Sequence, residues 1–203
     1  MSNIDERTGK PKIILHLCAD MGTDSIVYKE QGYDVRCIGQ KIGVENYNPP
    51  DNVYGIIANP PCTMFSLARS KAKIPRDLKQ GMFLVKECLR IIWECQYKIT
   101  EHQRHSPLKF WALENPGTGF LKWFLGKPYF EYKQSEYGEC MHKKTYLWGM
   151  FNKPEKPLLC NPIPSNMCRS TNPVWGSGVN GGDGGSRAKC IYSFAKAFFE
   201  ANQ

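Results

Sequence analysis

The chain has 203 residues, 41% of them apolar and 12% aromatic, which suffices for one hydrophobic core and one domain. Its net charge of +8 and pI near 9.0 favour an anionic partner, nucleic acid or a nucleotide. No segment approaches the ~18 apolar residues of a membrane span. The opening "MSNIDERTGK" lacks the apolar stretch of a secretion signal, and nine cysteines, an odd number, read as thiols of a reducing cytoplasm rather than a disulfide framework.

In chain order, "KIILHLC" (Lys12 to Cys18) is a short apolar run and reads as a buried strand. A turn, "ADMG", follows, with an N-cap expected at Thr23 or Asp24, a helix, and Gly32 as its stop. "DVRCIG" reads as a second strand, "GVENYNPPDN" as a polar connection, and "VYGIIA" (Val53 to Ala58) as a third strand. From Pro75 to Tyr97 runs the longest helical signal, because Met82, Val85, Leu89 and Ile92 fall on one face. "LKFWALEN" is another buried strand, Gly117 and Gly119 break the chain before a short helical piece, "FLKWFLG", and "KTYLWGMF" is a late strand. Trp93, Trp111, Trp123 and Trp148, at apolar positions of these elements, are expected in the core. "IYSFAKAFFEA" predicts a final helix, and the Pro-, Asn-, Gly- and Ser-rich stretch before it reads as irregular loop.

Strand alternating with helix predicts an α/β domain with a mostly parallel sheet, and in such sheets ligands bind beyond the carboxyl ends of the strands. Three strand ends carry unusual residues. After Cys18 comes a Gly-containing turn into a helix, which lets a ligand approach backbone. After Ala58 come Asn59, Pro60, Pro61 and Cys62; the paired prolines fix two φ angles and make a rigid loop that holds a thiol in one place. After Leu113 come Glu114, Asn115 and Pro116. A thiolate and a carboxylic acid on adjacent strand ends suit a pyrimidine: the thiolate adds to ring C6, the acid protonates N3, and C5 becomes an enamine-like nucleophile.

These residues resemble the DNA (cytosine-5)-methyltransferase family, and within it the small phage-type members that lack a large target-recognition domain. "NPPCTMFS" is similar to the family's nucleophile motif, "ALENP" to its Glu-Asn motif, and "CMHKKTYLWG" to a variant of its basic motif; "LKWFLGKP" and the terminal "FAKAFFEAN" also match. The resemblance covers residues 13–150 and 187–203. It implies a Rossmann-like class I methyltransferase sheet with helices on both faces, in a single domain over residues 1–203 whose segment 152–186 replaces the target-recognition domain. It implies S-adenosyl-L-methionine as cofactor and DNA, duplex or single-stranded, or a deoxycytidine nucleotide as partner, in the cytoplasm, the host's if the chain is phage-encoded. By motif position Cys62 is the nucleophile and Glu114 the N3 proton donor, while Asn115 braces the Cys62 loop. Asp20, Met21, Gly22, Thr23, Asn59, Pro60 and Glu45 fall on the cofactor side. Pro61, Ser66, Arg69, His142 and Lys144 fall on the substrate side.

The chain departs from the family at two cofactor positions. Where the family reads Phe-x-Gly-x-Gly it has Cys18-Ala19-Asp20-Met21-Gly22, and Asp20 either pairs with the cofactor's amino group or hinders it. Where an acid should hold the ribose, Gly39 or Gln40 stands, and Glu45 is the nearest downstream acid. The short insert offers only Arg169, Trp175 and Arg187 as base contacts, so weak sequence specificity is expected. Three other readings remain open. Asn59-Pro60-Pro61 also resembles the Asn-Pro-Pro of amino-methyltransferases, although Cys62 cannot stack on a base. The fold could be catalytically degenerate and bind DNA or a partner. Cys140, His142, Cys160 and Cys168 include the ligand types of a zinc site.

Overall fold

A computed structural model of the chain describes residues 3–19, 22–98, 107–138, 143–157 and 190–203. It begins with a two-stranded antiparallel ribbon, β1 (Ile4–Asp5) and β2 (Lys10–Pro11), which the polar sequence gave no reason to expect. The central sheet has six strands: β3 (Ile13–Leu17), β4 (Asp34–Ile38), β5 (Val53–Ala58), β6 (Phe110–Pro116), β7 (Phe130–Lys133) and β8 (Lys144–Met150). Their spatial order is β4-β3-β5-β6-β8-β7. Neighbours from β4 to β6 pair in parallel, and β8 runs antiparallel to both β6 and β7. Every residue of β3 is buried, as a central parallel strand covered on both faces requires.

Helices cover both faces. On one, α2 (Leu78–Tyr97) lays Val85, Cys88, Ile91 and Ile92 against Leu15, Leu17, Ile56 and Leu113. On the other, α1 (Ile26–Glu30) and α4 (Tyr192–Ala201) bury Val27, Tyr28, Phe194 and Phe198 against Ile14, Ile57, Phe110 and Leu147. A short α3 (Lys122–Leu125) follows β6. Gly55 makes room within the second layer, since a Cβ there would overlap the Phe110 ring.

Several boundaries differ from the sequence reading. The long helix starts at Leu78 rather than Pro75, because the Asp77 side chain accepts the Gln80 N–H at 2.9 Å and caps it there. The first helix starts at Ile26, after a 3₁₀ turn over Thr23–Ser25, and neither Thr23 nor Asp24 caps it. Its end is the expected one. Gly32 has φ 79°, and Tyr33 N–H reaches the Tyr28 carbonyl at 3.0 Å in a Schellman closure. Strand β7 was not foreseen: it is four residues of alternating aromatic and charged side chains at the sheet edge. Trp148 is buried and Trp111 half-buried, but Trp93 is 65% and Trp123 75% exposed, so these two are not core residues. Most of the irregular insert, with Arg169, Trp175 and Arg187, lies outside the described residues.

Candidate active site

The order of the sheet reverses between β3 and β5, since the chain steps outward from β3 to β4 and then crosses back over β3. The crevice beyond the carboxyl ends of these strands is where such sheets bind ligands. It lies beside Cys18 and Gly22, Asn59–Cys62 and, one strand further, Glu114–Asn115.

The Asn59 N–H still donates to the Leu17 carbonyl at 3.0 Å, so the chain leaves β5 in register with β3. Pro60 is then buried, Pro61 exposed and Cys62 half-buried. The Cys62 carbonyl accepts from Phe65 N–H (2.9 Å) and Ser66 N–H (2.8 Å), which closes a tight turn anchored by the fully buried Phe65 ring. The loop after β6 is tied to this turn: Phe120 N–H donates to the Phe65 carbonyl at 3.0 Å. The fully buried Asn115 donates its amide Nδ2–H to the Pro60 carbonyl at 3.0 Å. Proline rigidity and this amide hold the loop that carries Cys62 against β6.

Glu114 is 16% exposed, and the Lys143 Nζ lies 3.8 Å from its Oε1. Burial raises its carboxyl above the ordinary value; the Lys143 ammonium opposes this, the Asp24 carboxylate adds to it, and a hydrogen bond from the Asn59 side chain opposes it. Such a group holds its proton more tightly than an exposed carboxyl, which suits a proton donor. Asn59 has a second partner. Its Oδ1 lies 2.9 Å from Nε2 of the buried His16, and His16 Nδ1 lies 2.8 Å from Ser25 Oγ. With the Asn59 amide N–H directed at Glu114, its oxygen accepts from His16 Nε2–H, while Ser25 Oγ lies between His16 Nδ1 and the Gly22 carbonyl, 3.2 Å from the latter. Burial lowers the His16 pKa, against the attraction of Asp24, whose Oδ2 is 3.9 Å away. A polar chain, Ser25–His16–Asn59–Glu114, therefore runs under three strand ends. It also explains why Asp24 and Ser25 do not cap α1, since both face His16 instead. Cys190, leading into α4, donates its N–H to Thr23 Oγ1 at 3.1 Å, and burial pushes its thiol well up beside Asp24.

The other candidates take varied positions. Gly22, with φ 67°, makes the turn at the end of β3, its Cα packed near Cys37 Sγ. Glu45 is exposed on a 3₁₀ turn, with its carboxylate folded back on Gly43. Ser66 is half-buried in the Cys62 turn. Arg69 is turned towards the entry to α2, donating from Nη2 to the Ile74 carbonyl at 3.2 Å. Lys144 pairs with Glu131 at 3.1 Å and lies 5.1 Å from the Tyr146 ring centre, so the lysine that meets Glu114 is its neighbour Lys143. Asp20, Met21 and His142 lie outside the described residues, as do Cys140, Cys160 and Cys168. Among the described residues, no group of three or more His, Cys, Asp or Glu is placed to hold a metal ion.

Sequence reasoning missed His16, Asp24, Ser25, Lys143 and Cys190. Only His16 carried a signal, a lone imidazole inside an otherwise apolar strand, "IILHL". For a nucleoside cofactor, the Gly22 turn, Thr23, Asn59 and Pro60 line the switch-point crevice, and the exposed Gln40 stands just past β4. A carboxamide both donates and accepts, so Gln40 suits a ribose diol although it is not an acid. The residues present are thus compatible with such a group. Compared with known proteins, the chain matches no family model and no curated protein.

Proposed function

We propose that the protein methylates C5 of cytosine in DNA, using S-adenosyl-L-methionine, on a Rossmann-like class I methyltransferase sheet. The observation that carries this reading is the pairing of a rigidly held thiol and a buried carboxyl, whose pKa burial raises, on adjacent strand ends, tied together by the Asn115 amide on Pro60. The Cys62 thiol gives its proton to water, the thiolate Sγ bonds to ring C6 as Glu114 gives its proton to N3, and the C5–C6 electron pair moves to C5. The cofactor, when bound, supplies an electrophilic methyl group on a sulfonium. Once C5 carries the methyl that this sulfonium would supply, leaving as a neutral thioether, the C5 proton passes to water as the Sγ–C6 bond breaks and releases the thiolate, and Glu114 takes back the N3 proton. Gly22, Thr23, Asn59, Pro60 and Gln40 would hold the cofactor, while Asn59, fixed by His16, orients Glu114.

A second reading, a degenerate fold that binds DNA or a partner without catalysis, is favoured by one observation: Gly39 and Gln40, not an acid, follow β4. Isotope-labelled S-adenosyl-L-methionine offered with duplex DNA, single-stranded DNA and free deoxycytidine nucleotides separates the two. The expected result is label in 5-methylcytosine with wild type and none with Cys62→Ser, at unchanged thermal stability. Label transferred by Cys62→Ser would refute the thiolate mechanism, and no label from folded wild type on any substrate leaves the binding protein.

A further inference from the structure

Beside the Cys62 turn, α3 presents an unusual surface. It is anchored through the buried Leu121 and the half-buried Leu125, and it turns Trp123 (75% exposed) and Phe124 (50% exposed) outward. Packing does not account for an indole left so open. Trp123 is nonetheless held, edge to face with Phe120 at 5.5 Å between ring centres, and the Arg76 guanidinium lies 4.9 Å over that same Phe120 ring. Next to Trp123 opens a cleft of about 560 Å³, with Lys122, Lys127, Tyr129, Tyr146, Glu131 and Lys153 on its walls. Lys153 Nζ sits 4.7 Å from the Tyr129 ring centre, and Tyr129 is 50% exposed. Among the described residues lining the cleft, Glu131 is the one acid, and Lys144 pairs with it at 3.1 Å. The field left in the cleft is that of Lys122, Lys127 and Lys153, which is positive.

The cleft adjoins the candidate active site. Phe124 packs 6.1 Å from Phe65 of the Cys62 turn, and the Phe120 N–H bonds the Phe65 carbonyl. Gly117, at the end of β6, lies against Lys144 and against the Tyr146 ring that lines the cleft. Fixed, exposed aromatic rings interleaved with lysines are what a single nucleic-acid strand needs: rings for its bases and cations for its phosphates. A protein partner would find the apolar rings, but three lysines without an ion-pair partner among the described residues select a polyanion.

We propose that this cleft binds a single DNA strand next to the target base, with Trp123 as a stacking platform for one base and Lys122, Lys127 and Lys153 on the phosphates. The proposal rests on the reading that the substrate is DNA and names its form, unpaired nucleotides flanking the target. It also supplies strand contacts on a chain whose insert is too short for extensive groove readout.

The test is anisotropy of a fluorescein-labelled oligothymidylate, which contains no cytosine and so reports the cleft without the chemistry. Full-length wild type, Trp123→Ala, Trp123→Tyr, the pair Lys122→Ala/Lys127→Ala, and Trp93→Ala, an exposed indole on α2, are compared from low to moderate salt. Trp123→Ala is expected to weaken binding about 5- to 100-fold, with Trp123→Tyr recovering most of it. The lysine pair should flatten the salt dependence by about one to two counterions, and Trp93→Ala should match wild type. Equal affinity of Trp123→Ala and wild type overturns the proposal. So does an equal loss in Trp93→Ala, or tighter binding of the same sequence as duplex. If strand binding depends on Trp123 while no substrate is methylated, the cleft stands and the methyl-transfer reading falls. If cytosine is methylated while strand binding ignores Trp123, the reverse holds.

Discussion

Replacing Asn115 by alanine should loosen the Cys62 loop at a cost that the structure bounds. Asn115 is fully buried, and its amide gives the Pro60 carbonyl a 3.0 Å hydrogen bond. Removing the donor strands a buried carbonyl, which costs about 1–3 kcal/mol. Part of that returns, because Asn115 Oδ1 is itself buried without a partner among the described residues, and alanine deletes that penalty. The net expectation is a loss of about 1 kcal/mol, or roughly 2–4 °C in Tm for a chain of this size. Asn115→Asp keeps the shape, loses the donor and adds a buried charge, so it should cost about 3 kcal/mol or more. Urea unfolding gives both values, and peptide-mapped alkylation by iodoacetamide reports whether Cys62 reacts faster once its loop is released. A loss below about 0.5 kcal/mol in the alanine variant, with unchanged Cys62 alkylation, would refute the claim that this amide holds the loop.

Glu114→Gln should separate stability from activity. Burial raises the Glu114 carboxyl above its ordinary 4.5, so the native state holds this proton more tightly than the unfolded chain does. The associated stabilisation is complete below the unfolded value and is lost as pH rises through the native one. A permanently neutral glutamine avoids that loss, so the variant is expected to gain stability relative to wild type from about pH 4 to pH 8 in urea unfolding. It should also slow the chemical step more than it weakens DNA binding. Gly149→Ala should be among the most damaging single changes in the sheet, because its Cβ would overlap the Trp111 carbonyl across the β6–β8 ladder; a loss of about 3 kcal/mol or more in urea unfolding is expected.

The parts of this fold that were legible in the sequence are those where one physical signal dominates. "IILHL" and "VYGIIA" are apolar from end to end, and the periodicity of Val85, Leu89 and Ile92 belongs to a helix covering a sheet. The strand ends could be located for the same reason, since Cys62 and Glu114 follow such runs directly. β7 escaped because an edge strand of four residues needs no apolar run, only the neighbouring Lys144–Met150 to pair with. Trp123 escaped because a residue that looks apolar in sequence is buried only if its helix face meets the sheet. The polar chain beneath the site escaped for a deeper reason. His16 meets Asn59 across 43 positions, and Glu114 meets Lys143 at the entry to β8, so only the folded sheet brings them together.

The last helix also bears on the order in which the molecule can assemble. Tyr28 Oη bonds the Asn202 carbonyl across 174 positions, Cys190 N–H reaches Thr23 across 167, and Tyr192 meets Glu30 across 162. Beyond the short α1, this face of the sheet, with Phe110 and Tyr132, stays uncovered until Phe194 and Phe198 arrive. A ribosome delivers those residues after every strand, so the nascent chain carries an open aromatic layer throughout its synthesis. Closing loops of that length is entropically slow. A chain truncated before Tyr192 would leave this face of the sheet half dressed and prone to aggregate.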